Sequence, residues 1–143
     1  MKLHDFLNER ISDFALLYFK LHRFHWFVEG SGFFPFHTKY EELYDEMTEL
    51  LDEYAERLLS IGGTPFATIK QYLATSKLSE DGTEVEPKAI GNTIIKDFSA
   101  VVLSLKDGIK IAEDHDDDTT ADMFITTISS LEKHIWMFKQ SVK

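Results

Sequence analysis

Five side chains able to bind a metal ion follow one another between residues 25 and 56. His25 precedes a glycine-containing loop, and His37, Glu41, Asp52 and Glu56 follow in a segment with helical periodicity. At about 100° per residue, the last four positions fall within an arc of about 100° on one helix face. Imidazoles combined with carboxylates are ligands expected for iron, manganese or zinc. The sequence therefore predicts a metal site along this face.

The spacing of these ligands predicts that one chain does not complete the site by itself. Asp52 lies 15 residues after His37, which corresponds to roughly 22 Å along a helix axis. If the helix packs antiparallel against its own copy across a two-fold axis, the carboxylates of one chain meet the imidazole of the other. The axis would cross near Glu46 and Met47, and isologous symmetry would create two equivalent sites per dimer.

Each of these residues also has an interpretation without metal chemistry. His25 lies on an apolar stripe, where a hydrogen-bonded core histidine is common, and His37 is compatible with a helix-start residue. The acids of the same segment are compatible with a solvated face. However, only Lys39 and Arg57 are bases there, so ion pairing within the helix does not explain eight acids, and a binding face is favoured. The acids are Glu41, Glu42, Asp45, Glu46, Glu49, Asp52, Glu53 and Glu56.

A second group of carboxylates surrounds the expected start of the last helix. Thr119, followed three residues later by Asp122, predicts a capping box with Asp in place of Glu. The helix dipole favours acids at a helix N-terminus, which explains one or two of them. The alternative is an acid-lined channel for cations where several chains meet. The group consists of Glu113, Asp116, Asp117, Asp118 and Asp122.

Hydrophobic periodicity predicts that helices position all of these residues. Long amphipathic helices are expected over residues 3–28, 37–61, 88–113 and 119–141, with a short helix over 66–74. Gly30, Gly32 and Pro35 separate the first two helices, and the long link before residue 88 matches the one-crossover arrangement of ferritin-like bundles. The prediction is an all-α, ferritin-like four-helix bundle with a short extra helix between helices 2 and 3, forming a single domain over residues 1–143. Because the chain has no Glu-x-x-His motif, the di-iron site within one such bundle is not expected.

The composition of the chain disfavours several classes of function. The formal charge of −10 and the pI near 4.9 disfavour broad binding to a phosphate backbone and favour attraction of cations. The absence of Cys excludes thiolate metal sites and disulfides. No apolar run approaches a membrane span, and the first 20 residues are too charged for a signal peptide, so a cytoplasmic protein is expected.

Several of these segments together resemble the Dps family of mini-ferritins, which protect DNA during starvation. The resemblance rests on His25-Trp26, on His37, and on the runs 52–65 and 133–138. It implies a dodecameric shell built from two-fold dimers. It also implies a ferroxidase that oxidises Fe(II), preferentially with hydrogen peroxide, and stores ferric mineral, which protects the cell against oxidative damage.

The same resemblance implies roles for particular residues. One chain would provide His25, His37 and Glu41 to a two-iron site at the subunit interface, and its neighbour would provide Asp52 and Glu56. Trp26, adjacent to His25, is a candidate electron donor. The acids that would line the pore through which cations reach the shell are Glu113, Asp118 and Asp122.

Two features depart from the family pattern. Family members most similar to this chain carry Asp where Glu41 stands, and the longer side chain is expected to change occupancy of the weaker second metal position. Family members that bind DNA commonly have Lys- and Arg-rich terminal tails, whereas this chain ends Lys139-Gln-Ser-Val-Lys143. The alternative functions are a nucleoid-associated protein that shields DNA with little ferroxidase activity and a purely structural helical oligomer.

Overall fold

Helices account for all the regular structure of residues 2–143, which the computed structural model describes. In chain order they are α1 (Lys2–Phe27), α2 (Phe33–Ser60), α3 (Ile69–Thr75), α4 (Pro87–Asp114) and α5 (Asp118–Ser141). The short loops at 28–32 and 115–117 pair α1 with α2 and α4 with α5, and α1 also packs against α3 and α4. The predicted four-helix bundle with a short extra helix in its long connection is confirmed. Within residues 2–143, no helix is long and apolar enough to cross a bilayer.

The core forms where the apolar stripes of the four long helices meet. Phe14 of α1 contacts the ring of Tyr54 edge-on, with centroids 4.9 Å apart, and Tyr54 also contacts Phe124 of α5 at 5.8 Å. The buried Tyr54 hydroxyl is hydrogen-bonded to Thr127 Oγ1 at 2.8 Å, so its polar atom is not left without a partner. Each such aromatic side chain contributes about 1.5–3 kcal/mol by burial alone.

Helix α2 begins four residues earlier than the sequence indicated. Gly30 and Gly32 do interrupt the chain, since both adopt positive φ angles of 86° and 90°. Pro35, however, lies in the first turn of α2 and does not break it. A missing N–H is tolerated there because the first four N–H groups of a helix have no intrahelical acceptor. The earlier start places His37 inside the helix, with a fixed backbone.

The start of α5 also differs from the prediction. Asp117, and not Thr119, is the N-cap, because its carboxylate accepts hydrogen bonds from the backbone N–H and the hydroxyl of Thr120 at 2.9 and 2.6 Å. Arg57 of α2 donates to the same carboxylate at 2.9 Å. Burial alone would raise the pKa of Asp117, but these hydrogen bonds outweigh it and lower that pKa. The predicted capping box of Thr119 and Asp122 is therefore wrong.

Buried charges attach the long connection to the bundle. Lys20 of α1 donates to Asp97 Oδ2 of α4 and to the backbone carbonyl of Ser79, both at 2.8 Å. About two turns earlier on α1, Asp13 accepts from Ser76 Oγ at 2.6 Å. The short helix starts at Ile69, three residues later than predicted, because Thr68 and Gln71 form a capping box.

Candidate metal centre

Two histidines from consecutive helices lie face to face at the α1–α2 corner. The rings of His25 and His37 are nearly parallel, at 14°, with centroids 3.7 Å apart. His25 Nδ1 bonds to the backbone carbonyl of His37, and His37 Nδ1 bonds to the backbone carbonyl of His25, both at 2.7 Å. Each helix end therefore orients the imidazole of the other.

These reciprocal bonds define which ring nitrogen can bind a cation. A carbonyl oxygen can only accept, so each Nδ1 must carry the hydrogen. In the neutral imidazole, Nε2 of both His25 and His37 then keeps a free lone pair, which is the form that ligates metals. Metal-binding histidines typically donate their other N–H to a carbonyl or carboxylate, as both do here. The donor set at this corner therefore fits iron or zinc.

Glu41 lies beside this histidine pair, one helical turn after His37. Its Oε1 is 3.8 Å from His25 Nε2, and its side chain is 53% exposed, whereas that of His25 is only 9% exposed. The carboxylate thus has room to rotate towards a cation above the two Nε2 atoms. Among residues 2–143, no group of three or more His, Asp or Glu side chains from one chain is arranged to hold a metal ion by itself.

Asp52 and Glu56 form a separate carboxylate pair in the second half of α2. Both are exposed, and they stand one turn apart on the face that carries Glu41. A hydrogen bond and the charge of Asp52 raise the pKa of Glu56, so the two carboxylates compete for ionisation. A cation between them would relieve this repulsion. The structure places them away from the histidines of their own chain, as the spacing along one straight helix requires.

The basic residues do not neutralise this face. Lys39 pairs with Glu42 at 3.4 Å, but Arg57 turns away to Asp117 at the end of the bundle. The exposed carboxylates of Asp52 and Glu56 therefore have no basic partner on α2.

The residues expected at the two-fold axis point elsewhere. Met47 is completely buried in the core. Glu46 accepts hydrogen bonds from Ser130 Oγ and His134 Nε2 of α5, both at 3.0 Å. Burial opposes ionisation of Glu46, but these bonds and the His134 charge outweigh it and lower the pKa of Glu46. Since both side chains face their own bundle, an axis at this level of α2 would instead pass by exposed residues such as Asp45, Thr48 and Glu49.

A group of aromatic rings that the sequence reading missed packs behind the histidine pair. Tyr44 lies parallel to His22, with centroids 3.6 Å apart, and meets His25 edge-on at 5.3 Å. Desolvation, followed by the charges of Glu41 and Asp45, raises the pKa of Tyr44. The available signal was the spacing: His22 stands three residues before His25, and Tyr44 three residues after Glu41, each close to one helical turn.

The acids predicted to line a cation pore surround the α4–α5 turn. Glu113 lies at the end of α4, Asp118 begins α5, and Asp122 follows one turn later; all three are exposed. Asp117 has a different role, because its carboxylate caps α5 and binds Arg57. Asp117 is therefore a structural residue, whereas the carboxylates of Glu113, Asp118 and Asp122 face solvent.

Comparison with known proteins decides the family. A family model described as "Ferritin-like domain" matches residues 4–143. The chain is 42% identical over 135 residues to DNA protection during starvation protein 2 of Bacillus anthracis, covering 94% of this chain and 92% of that protein. The chain belongs to the Dps family. A Dps relative from Listeria innocua is 38% identical over 139 residues, covering 94% of this chain and 88% of its own length.

Solved Dps structures share the whole fold. Dps from Staphylococcus aureus superposes with a TM-score of 0.96 at 37% identity, covering 99% of this chain and 95% of that one. Dps from Listeria innocua, in a crystal soaked with zinc, gives a TM-score of 0.94 at 34% identity, covering 98% of this chain and 95% of that one. The histidine corner and the exposed acids therefore belong to a bundle whose architecture is that of Dps throughout.

Asp52 is expected to matter little for the stability of this Dps-family fold. Replacing it with Asn should leave the metal-free melting temperature unchanged or slightly higher, because the side chain is exposed and the substitution removes repulsion with Glu56. Thermal unfolding in the presence of a chelator measures the effect. Asp97→Asn, which removes a carboxylate paired with buried Lys20, is the matched control and should lower the melting temperature clearly. An equal drop for both variants would contradict this assignment.

Proposed function

We propose that this protein is a ferroxidase that oxidises Fe(II), preferentially with hydrogen peroxide, and deposits ferric mineral inside a dodecameric shell in the cytoplasm, protecting the cell against oxidative damage. The observation that carries the proposal is the pair of histidines held by reciprocal backbone hydrogen bonds. That arrangement leaves two Nε2 lone pairs beside an exposed carboxylate, which is half of a metal site. The other half is the exposed pair Asp52 and Glu56.

The proposed reaction takes place where two chains meet. His25, His37 and Glu41 of one chain, with Asp52 and Glu56 of its neighbour, bind two Fe(II) ions as substrates. So few protein ligands leave open coordination positions for peroxide. Carboxylates favour the ferric product because they offset its additional positive charge. Two irons give peroxide the two electrons it needs, so no hydroxyl radical is released.

Exposed apolar side chains on two sides of the bundle support assembly into an oligomer. On α1 and α3, Phe19, Ile69 and Leu73 are more than half exposed in the single chain. On α4 and α5, Leu103 and Trp136 are 67% and 59% exposed. Large exposed apolar groups in two separate places are typical of subunit interfaces. One surface of this kind is sufficient for a dimer, and two permit a closed shell.

Anaerobic titration with Fe(II), followed by peroxide, tests the proposed function. Equilibrium dialysis without oxidant gives the number of ferrous ions bound, and absorbance of the ferric product then gives the number oxidised per peroxide. Two irons oxidised per peroxide is the expected result. Iron uptake no greater than in buffer alone would overturn the ferroxidase proposal.

A DNA-shielding role is the second candidate, and the names of the relatives favour it. The relatives from Bacillus anthracis and Listeria innocua are both called DNA protection during starvation proteins. The net charge of −10 opposes direct binding to the phosphate backbone. A gel shift at increasing salt concentration distinguishes the two: retention of DNA that weakens with salt supports shielding, and no retention at low salt excludes it.

Removing charge from the α4–α5 turn is expected to slow iron uptake. In an oligomer, copies of Asp118 and Asp122 meeting around an axis would concentrate Fe(II) by their negative potential. The double variant Asp118→Asn, Asp122→Asn should take up iron more slowly at low salt, with the same number of irons bound per chain. High salt should reduce the difference, because screening weakens steering.

A control with the same change in net charge distinguishes the effect of where the acids lie from the effect of the net charge itself. Asp81 and Glu86 are also exposed but lie in the long connection. Asp81→Asn with Glu86→Gln should leave the uptake rate close to that of the unmodified protein. Equal rates for both double variants at low salt would show that the acids of the α4–α5 turn do not guide iron.

A further inference from the structure

The second half of the long connection runs along α1 and ends beside the histidine corner. Arg23 donates to the backbone carbonyl of Glu80, and the backbone N–H of Glu29 donates to that of Val85 at 2.8 Å. Gly82 lies between these two points, where a Cβ atom would be 2.9 Å from Arg23 Nη2, so the chain approaches α1 closely. The connection therefore reaches the loop that joins α1 to α2.

The bond between Glu29 and Val85 affects the carbonyl of His25. If α1 continued, the N–H of Glu29 would donate to the carbonyl four residues earlier, which is that of His25. Instead α1 ends at Phe27, and Glu29 donates to Val85. The carbonyl of His25 accepts from His37 Nδ1 at 2.7 Å. The Val85 carbonyl thus keeps a competing donor away from the atom that orients His37.

Glu84 holds this part of the connection against α4. Its carboxylate accepts a hydrogen bond from the hydroxyl of Thr93, six residues after α4 begins at Pro87. Burial opposes ionisation of Glu84, but this bond, neighbouring backbone N–H groups and the charge of Lys20 outweigh it and lower the pKa of Glu84. Because Val85 directly follows Glu84, the position of its carbonyl depends on the bond to Thr93.

We propose that Glu84 and Thr93 are positioning residues for the metal site. Their hydrogen bond fixes the connection, which keeps the N–H of Glu29 away from the carbonyl of His25 and leaves that carbonyl available to His37. Without the bond, the N–H of Glu29 competes for the same carbonyl, and the imidazole of His37 loses its fixed orientation. A metal ion would then have to order its own ligand, which lowers its affinity. The inference rests on the proposed ferroxidase function, since the histidine corner is half of that site.

Thr93→Val tests the proposal, because it removes the hydroxyl and keeps the shape of the side chain. Hydrogen–deuterium exchange of the metal-free protein, followed by mass spectrometry, should become several times faster in the peptide that contains Glu29 and stay unchanged in peptides of α5. Co(II) titration, followed by visible absorption, should show binding weakened by about tenfold, the lower end of the range typical of residues that orient metal ligands.

Glu84→Ala breaks the same bond from its other side and should produce both changes, so the test does not depend on how well Thr93→Val folds. The hydroxyl of Thr93 keeps a partner in this variant, because it also bonds to the backbone carbonyl of Ala89 at 3.3 Å. Thr93→Ser restores a hydroxyl at the same position and should recover both the slow exchange and the Co(II) affinity.

Ser76→Ala is the matched control. It also removes a hydroxyl that holds the connection, but its partner is Asp13, at the opposite end of α1 from the histidine corner. Exchange in the peptide that contains Glu29 and the affinity for Co(II) should both match those of the unmodified protein.

Either change without the other overturns the proposal. Faster exchange with unchanged Co(II) affinity would show that the held N–H of Glu29 does not position the site, and weaker binding with unchanged exchange would show that the effect does not pass through Glu29. Equal effects of Ser76→Ala and Thr93→Val, or no recovery in Thr93→Ser, would also contradict it. Failure of the unmodified protein to bind Co(II) would instead reject the metal site, and with it the proposed function.

Discussion

Two inactive variants of this protein are expected to regain iron oxidation when their subunits are exchanged. One variant carries His25→Ala and His37→Ala, and the other carries Asp52→Ala and Glu56→Ala. Each alone should lose nearly all activity, because every site lacks either both imidazoles or the carboxylate pair. A dimer containing one chain of each kind has one site with all its ligands and one site that keeps only Glu41. Activity therefore returns only if the site is shared between chains.

The expected recovery can be calculated from the symmetry. With random exchange of equal amounts, half of the dimers are mixed, and each mixed dimer has one intact site of two. About a quarter of all sites should then be active. Peroxide-driven iron oxidation before and after exchange gives the measurement. A value near this fraction supports the two-fold geometry.

A second mixture provides the control. Exchanging His25→Ala subunits with His37→Ala subunits should restore nothing, because both histidines of a site come from the same chain. Their reciprocal hydrogen bonds require this common origin. Recovery in this control, or no recovery in the first mixture, would show that the ligands are distributed differently from the proposal.

Replacing Lys20 with Met is expected to destabilise the fold strongly. Lys20 is 5% exposed, and its ammonium group bonds both to Asp97 and to the carbonyl of Ser79. Methionine fills a similar volume but leaves the carboxylate of Asp97 buried without its cation. Removing one partner of a buried pair typically costs about 3–5 kcal/mol. Urea denaturation at one fixed protein concentration measures the loss, since subunit association contributes to apparent stability.

An exposed ion pair gives the matched comparison. Lys106 and Glu132 are 3.5 Å apart, with side chains 55% and 52% exposed. Lys106→Met should change the free energy of unfolding by less than about 1 kcal/mol. The double variant Lys20→Met, Asp97→Leu should recover much of the loss, because it removes the unpaired charge. Equal effects at positions 20 and 106 would contradict the role assigned to burial.

Hydrophobic periodicity was sufficient to predict the fold, because each long helix buries one stripe of apolar side chains and that stripe repeats with the helical period. Tyr40, Leu43 and Met47, on the apolar stripe that this periodicity assigns to the core side of α2, are completely buried, whereas Tyr44 and Leu51 on the same stripe are half-buried. The long link predicted the bundle with a short extra helix that the structure shows, whereas the absence of a di-iron site inside one bundle stays a prediction. Helix ends were less predictable, since Pro35 and Asp117 act through local backbone hydrogen bonding that apolar spacing does not report.

Side-chain contacts between helices could not be predicted from the sequence. Periodicity placed His25 and His37 on their helices, but their mutual hydrogen bonds depend on the turn of the chain at Gly30 and Gly32. Glu46 belonged to the acidic segment in sequence, yet in the structure it bonds to His134 across 88 positions. The stack of Tyr44 on His22 likewise depends on how α1 and α2 are rotated against each other. The assignment of Asp52 and Glu56 to a neighbouring chain stays a prediction.

The two halves of the proposed site differ in stiffness, and this difference has a consequence for valence change. The imidazoles of His25 and His37 are each fixed by a 2.7 Å bond to the other's backbone, whereas the carboxylates of Asp52 and Glu56 are free to rotate at the surface. Iron contracts when it loses an electron, so its coordination shell must shrink around it. The fixed imidazoles of His25 and His37 would hold the position of the ion, while the carboxylates of Asp52 and Glu56 rotate to follow its smaller radius. Oxidation would then require no movement of either helix.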